Sequence, residues 1–229
     1  MAKNEVTPQE AAIGEAITKT ESFFENNNKG VIWALVAIFV LAGAIFGYRK
    51  LVAEPRVEKA SAMIAEAQYR FEQANPDYEL ALNGDENGAG FLEIIETYGS
   101  TPAGNLAKHY AGVCYLHLGD LDAAADYLAK YSPVKGLPGQ IVNAQNLGLQ
   151  GDIAVEQDDL AKAVKFYDKA VKASDNIYTA PLYLRKAGLA LRAQGKEKEA
   201  VAAFEKILAL YPSSIEAREA EKLIGSENR

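Results

Sequence analysis

The 229-residue chain has one cysteine, two histidines, two methionines and one tryptophan, and its basic side chains are outnumbered by its acidic ones. A single thiol, Cys114, cannot close an internal disulfide, and thiolate metal sites need several Cys or Cys/His ligands at fixed spacing. The lone cysteine fits a reducing compartment, and equally an envelope protein that does not rely on disulfides. Lys+Arg 24 against Asp+Glu 31 gives a net charge of -7. That deficit of basic charge argues against nucleic acid as a partner, because displacing counterions from phosphates needs a basic patch. No P-loop, dinucleotide fingerprint or GxSxG nucleophile motif occurs. The expectation is therefore a protein that is not an enzyme and holds no cofactor. With 49% hydrophobic and 24% charged residues the chain is not disordered throughout.

What the sequence does have is one long apolar run. From Gly30 to Tyr48 there is no charge, and Lys29 and Arg49-Lys50 bound the stretch. Nineteen residues at about 1.5 Å each reach roughly 28 Å, close to the hydrocarbon thickness of a bilayer. A cleaved signal peptide has a shorter apolar core and a basic start, whereas a largely polar stretch of 29 residues comes first here, so the run is expected to be a retained transmembrane helix. No cysteine stands near the N-terminus to be acylated, which disfavours a lipoprotein. Trp33 and Tyr48 stand near the two ends, as interfacial aromatics do. Arg49, Lys50, Arg56 and Lys59 outnumber Lys19 and Lys29, so the positive-inside count alone favours a cytoplasmic C-terminus. Large following domains translocate largely regardless of that count. Gly43 and Gly47 form a GxxxG pair, which reads equally as a face for packing membrane helices and as a chance pairing.

Beyond Lys50, Ala-rich amphipathic stretches alternate with short turns and no period-2 strand run stands out, so the soluble part reads as all helical. Aligning Gly112, Gly151 and Gly188 also superposes Ala124, Ala163 and Ala200, and then Leu128, Tyr167 and Phe204. The turns Gly119-Asp120, Asp158-Asp159 and Gly195-Lys196 fall together in the same frame. This resembles the tetratricopeptide repeat, a helix-turn-helix unit in which small residues sit where paired helices cross. The predicted fold is all-α: an N-terminal transmembrane helix, then an α-solenoid of about four such repeats with a C-terminal capping helix. The predicted divisions are a short cytoplasmic segment 1–29, the span 30–48, and a repeat domain 49–229 with units near 54–104, 105–143, 144–180 and 181–214 and a cap at 215–224. The first unit is found by laying Phe91–Ser100 on Phe204–Ser213, with a first helix over Glu54–Ala74 and an insertion around Asn83-Gly84-Asp85-Glu86-Asn87-Gly88 that looks like a loop. A calcium loop would need a closing Glu that the spacing does not supply.

His109 and His117 are eight residues apart, about 12 Å along a helix, too far for one metal ion, and they read as exposed groove residues. The acids at the turns suit helix N-termini better than acid/base catalysis. In a tetratricopeptide array the first helices line the concave face. In this frame that face carries Leu106, His109, Val113, Leu116, Gln145, Asp152, Val155, Leu182, Arg185, Leu189 and Arg192. Such a mixture suits extended polypeptide, with Arg185 and Arg192 offered to a carboxylate. Any one of the apolar positions is as readily a packing residue between repeats.

Taken together, Phe23-Phe24-Glu25-Asn26, Lys29, the span, Gly47-Tyr48-Arg49, Thr97-Tyr98, Ser100-Thr101, Asn105-Leu106-Ala107 and Gly119-Asp120-Leu121 resemble the YfgM-like family. These are single-pass bacterial inner-membrane proteins with a periplasmic tetratricopeptide domain, ancillary to the Sec translocon. The resemblance implies a cytoplasmic N-terminus and a periplasmic repeat domain. It also implies association with Sec translocon subunits and a membrane-anchored parvulin-type peptidyl-prolyl isomerase chaperone, and binding of nascent or unfolded exported polypeptide. The Asn26-Asn27-Asn28 run and the insertion at 83 to 90 depart from the family. A cytoplasm-facing anchored scaffold and a self-assembling membrane protein share the same repeat features.

Overall fold

The computed structural model describes residues 28–225 together with Thr18. The Phe23–Asn26 segment, Lys19 and most of the expected cytoplasmic segment lie outside the described residues. The chain divides into two units, one up to Pro55 and one from Arg56 onward. In the first, α1 (Asn28–Tyr48) passes into a π-helical stretch, Arg49–Ala53. None of its apolar core is buried in the protein, and it is long and apolar enough to cross a membrane. Gly43 and Gly47 have no neighbour within 4 Å of where a Cβ would stand.

In the second unit helices pair in sequence order. They are α2 (Glu54–Phe71), α3 (Tyr78–Asn83), α4 (Phe91–Tyr98), α5 (Pro102–His117), α6 (Leu121–Ala129), α7 (Gly139–Glu156), α8 (Leu160–Ala173), α9 (Ala180–Ala193), α10 (Glu197–Leu210) and α11 (Ile215–Gly225). Side chains start several of them: Thr101 accepts from Gly104 N–H, Asp120 from Ala123, Asp159 from Lys162 and Ser214 from Ala217, each satisfying an amide that the first helical turn leaves unpaired. The turns between paired helices need one left-handed residue. Gly119 and Gly195 supply it at φ 83° and 73°, and at the matching place Asp158 adopts φ 59°, which an Asp tolerates better than most residues.

The helix pairs are locked by the aligned glycines. A Cβ on Gly112 would stand 2.6 Å from Leu128 Cγ, one on Gly151 2.5 Å from Tyr167 Cε1, and one on Gly188 2.8 Å from Phe204 Cζ. Each glycine on a first helix thus receives the large side chain from its own second helix, the same three pairs that the sequence frame superposes. Leu128 and Phe204 are fully buried and Tyr167 nearly so. These helix-turn-helix pairs form the tetratricopeptide solenoid, closed by α11.

The first unit departs from the expected pattern. Its initial helix ends at Phe71, not Ala74, and its second helix is broken in two. Ala124, Ala163 and Ala200 precede their large partners by four residues, but the buried Ala81 precedes Phe91 by ten. The excess is not a plain loop. It is a hairpin in which β1 (Gly84–Asp85) pairs antiparallel with β2 (Gly88–Ala89). Two-residue strands are too short to show alternation in sequence, and they are a local insertion in a domain that is otherwise helical as expected. Arg70 holds the hairpin: its guanidinium donates to Gly88 O at 3.0 Å and to Asp85 Oδ1 at 2.9 Å, and that carboxylate also accepts from the Asn87 and Gly88 amides. Beyond the hairpin the register returns, and Phe91 and Ile94 are buried as Phe204 and Ile207 are.

Candidate protein-binding groove

Along the first helices of successive units the packing leaves a cleft of about 320 Å³, lined on α2 by Phe71, on α5 by His109, Tyr110 and Val113, on α7 by Gln145, Gly148 and Asp152, and on α9 by Tyr183 and Lys186. A second stretch of about 240 Å³ shares Asp152 and Lys186 and continues past Val155, Leu160, Leu189 and Ala193. The two make one groove. At α7 Gly148 lines the cleft against the Tyr183 ring, and Gly151 packs against the ring of Tyr167 on its own second helix. The two tyrosine rings stack, with centroids 6.5 Å apart.

Where the two stretches meet, the Lys186 ammonium bonds both Asp152 oxygens at 2.7 and 2.8 Å, and the Tyr167 hydroxyl donates to Oδ1 at 2.8 Å. Burial and this carboxylate push the Tyr167 phenol well above its ordinary range, and Tyr183 is pushed up to about 12 mainly by burial. Both phenols stay protonated at pH 7. At the other end His109 is buried, its Nδ1 3.3 Å from Asn146 Nδ2, and Gln150 donates to Asn146 Oδ1. Desolvation lowers its pKa to about 4, so the imidazole is neutral at pH 7.

The structure places the sequence-derived residues unevenly. Val113, Gln145, Asp152, Val155 and Leu189 line the groove, and His109 does so as a buried wall residue instead of the exposed one expected. His117 is away from that cleft and stacks on Tyr78 with centroids 4.2 Å apart. Leu106, Leu116 and Leu182 pack half-buried against the cores. Arg185 and Arg192 are not held out for a ligand carboxylate: Arg185 Nε is 3.1 Å from Glu219 on α11, and Arg192 donates to the Glu197 carboxylate at 2.5 to 3.0 Å and to the Leu223 carbonyl. On α9 the face turned to α11 begins one residue before the face turned to the groove. Lys186 was therefore missed, although it shares a frame position with Tyr110 and Leu149, two residues before each aligned glycine.

Among the described residues no group of three or more His, Cys, Asp or Glu is placed to hold a metal ion. Cys114 is buried, with its thiol pushed up to about 12 by desolvation.

Residues 149–215 match the tetratricopeptide repeat family. No curated protein matches the sequence. Among solved structures the chain is similar to the crystal structure of MamA, at 19% identity over 60% of this chain and 78% of that one with a TM-score of 0.44. It is also similar to a crystal structure of MamA protein, at 18% identity over 86% of this chain and 92% of that one with a TM-score of 0.46.

Proposed function

We propose that a tetratricopeptide scaffold tied to the bacterial inner membrane by α1 uses this groove to hold polypeptide in transit. Tetratricopeptide solenoids present concave surfaces for protein partners, and the matched repeats make this chain such a scaffold. The observation that carries the reading is the continuous groove through Asp152 and Lys186. Its walls alternate aromatic and aliphatic side chains with fixed polar groups, a surface suited to an extended chain with apolar side chains and a polar backbone. The function proposed for this surface is the binding of polypeptide.

The finer reading follows the YfgM-like resemblance: N-terminus cytoplasmic, repeats periplasmic, association with Sec translocon subunits and a membrane-anchored parvulin-type chaperone, and exported polypeptide as client. The apolar α1, with Gly43 and Gly47 open to a partner helix, supports docking within the bilayer. Protease added to spheroplasts should digest the repeats, and purification in mild detergent should retain channel subunits. Repeats protected in spheroplasts but cleaved in inverted vesicles would mean a cytoplasm-facing scaffold. Crosslinked homodimers with no channel subunit would mean self-assembly. A fragment from Val52 onward that keeps full channel association would move docking from the span to the repeats.

A further inference from the structure

The two ends of the helix stack differ in chemistry. Within a pair, first and second helices join through Leu118-Gly119-Asp120, Gln157-Asp158-Asp159 and Gln194-Gly195-Lys196, which are polar apart from Leu118. At the opposite end, where each unit passes to the next, the junctions carry exposed apolar tips. Val134 and Leu137 lie between α6 and α7, Ile177 and Tyr178 between α8 and α9, and Ile215 opens α11. Leu137 is 77% exposed, Tyr178 83% and Ile215 71%. None of these is needed to close a helix pair, and water is an unfavourable neighbour for all of them.

The apolar end is also the end at which the chain enters the stack. Arg56, near the start of α2, donates to Thr97 O at 2.6 Å and covers the Tyr98 ring, at the junction of α4 and α5. Asn105, near the start of α5, exchanges hydrogen bonds with Ser132. Asp175 accepts from the Tyr211 hydroxyl, joining the next two junctions. Arg56 follows Tyr48 by eight residues, a tether of at most about 27 Å even when fully extended.

We infer that this end of the repeat domain is a membrane-contacting edge, with Leu137, Tyr178 and Ile215 inserted at the headgroup level of the bilayer that α1 crosses. The occupant is a lipid surface. A tyrosine with an apolar ring and a polar tip suits that depth, and the exposed Lys135 between Val134 and Leu137 can reach lipid phosphates. The first junction, Gly99-Ser100-Thr101, carries no apolar tip, and it is the junction that Arg56, the residue where the repeat unit begins, is bonded to. The three farther junctions need their own adhesion.

The inference rests on α1 spanning the membrane, and the test separates the two. Full-length protein is reconstituted into phosphatidylcholine–phosphatidylglycerol vesicles containing nitroxide-labelled lipid. Trp33, the only tryptophan, reports whether α1 is inserted. An environment-sensitive fluorophore is placed in turn on Leu137→Cys and Tyr178→Cys at the apolar end and on Gln157→Cys and Lys196→Cys at the polar end. Cys114 stays buried and unlabelled. Lipid nitroxides should quench the labels at 137 and 178 several-fold more than those at 157 and 196, and aqueous iodide should show the reverse order. Equal quenching of all four labels with Trp33 quenched overturns the membrane-contacting edge while leaving the anchor. Labels at 137 and 178 shielded from iodide but untouched by lipid nitroxide overturn it in favour of a protein partner. Unquenched Trp33 overturns the anchor and this inference together.

Discussion

The ammonium of Lys186 grips both oxygens of Asp152 from 34 positions away, joining two repeats across the floor of the groove. The pair is about one-third exposed, so it contributes little to stability. In the proposed function it is a fixed dipole on which an extended chain sets its register.

Replacing that cation therefore separates binding from folding. Lys186→Met should lower stability by less than about 1 kcal/mol, because solvent screens the pair. It should weaken binding of a polypeptide ligand several-fold in fluorescence polarisation. Equal affinity in the variant would place the ligand elsewhere.

Arg192 behaves oppositely, although a sequence frame puts it in the same groove. Arg192→Ala removes the clasp on Glu197 and Leu223, so α11 should gain faster amide exchange than the other helices. Affinity for polypeptide should stay near that of the parent. Exchange in α11 unchanged from the parent would show the clasp to be dispensable.

The glycine contacts predict a large effect from small changes. Gly151→Leu should drive a side chain into the Tyr167 ring and cost about 1 to 3 kcal/mol or more, read as a lowered melting temperature. An unchanged melting temperature would mean that the crossing is looser than its geometry implies.

His109 sets a pH dependence. Its folded pKa of about 4 lies below the ordinary 6.5, so the unfolded chain takes up a proton that the folded chain refuses. Stability is fully present above pH 6.5, falls between about 6.5 and 4, and is flat for this group below that. The slope is at most about 1.4 kcal/mol per pH unit. Denaturant midpoints for the parent and His109→Gln should converge as pH falls across that window. Parallel curves would assign the acid sensitivity to other groups.

The repeat architecture was legible because its determinants are local and recur: a small residue, a left-handed turn residue and a large side chain at constant spacing. Gly112, Gly151 and Gly188 name their own partners once aligned. The hairpin at Gly84–Ala89 was not legible, since it is held by Arg70 from another helix and not by any pattern of its own. Lys186 goes unnamed in the sequence frame while Arg192 is placed in the groove, for a related reason. Both are cations on α9, and only their partners, Asp152 in the preceding unit and Glu197 and Leu223 on the far side, tell groove from packing face.

The pairing of Gly151 with Tyr167, and of Gly112 with the smaller Leu128, bears on how such an array can be recombined. A first helix carries the mould and its second helix the cast, and the casts differ in shape. Exchanging α6 for α8 alone would leave Gly151 facing a leucine and a void where a ring had been. Moving a whole helix pair keeps the fit within that pair, which moving half a pair does not, and leaves the face between units, where Gly148 meets Tyr183, as the one to be matched again.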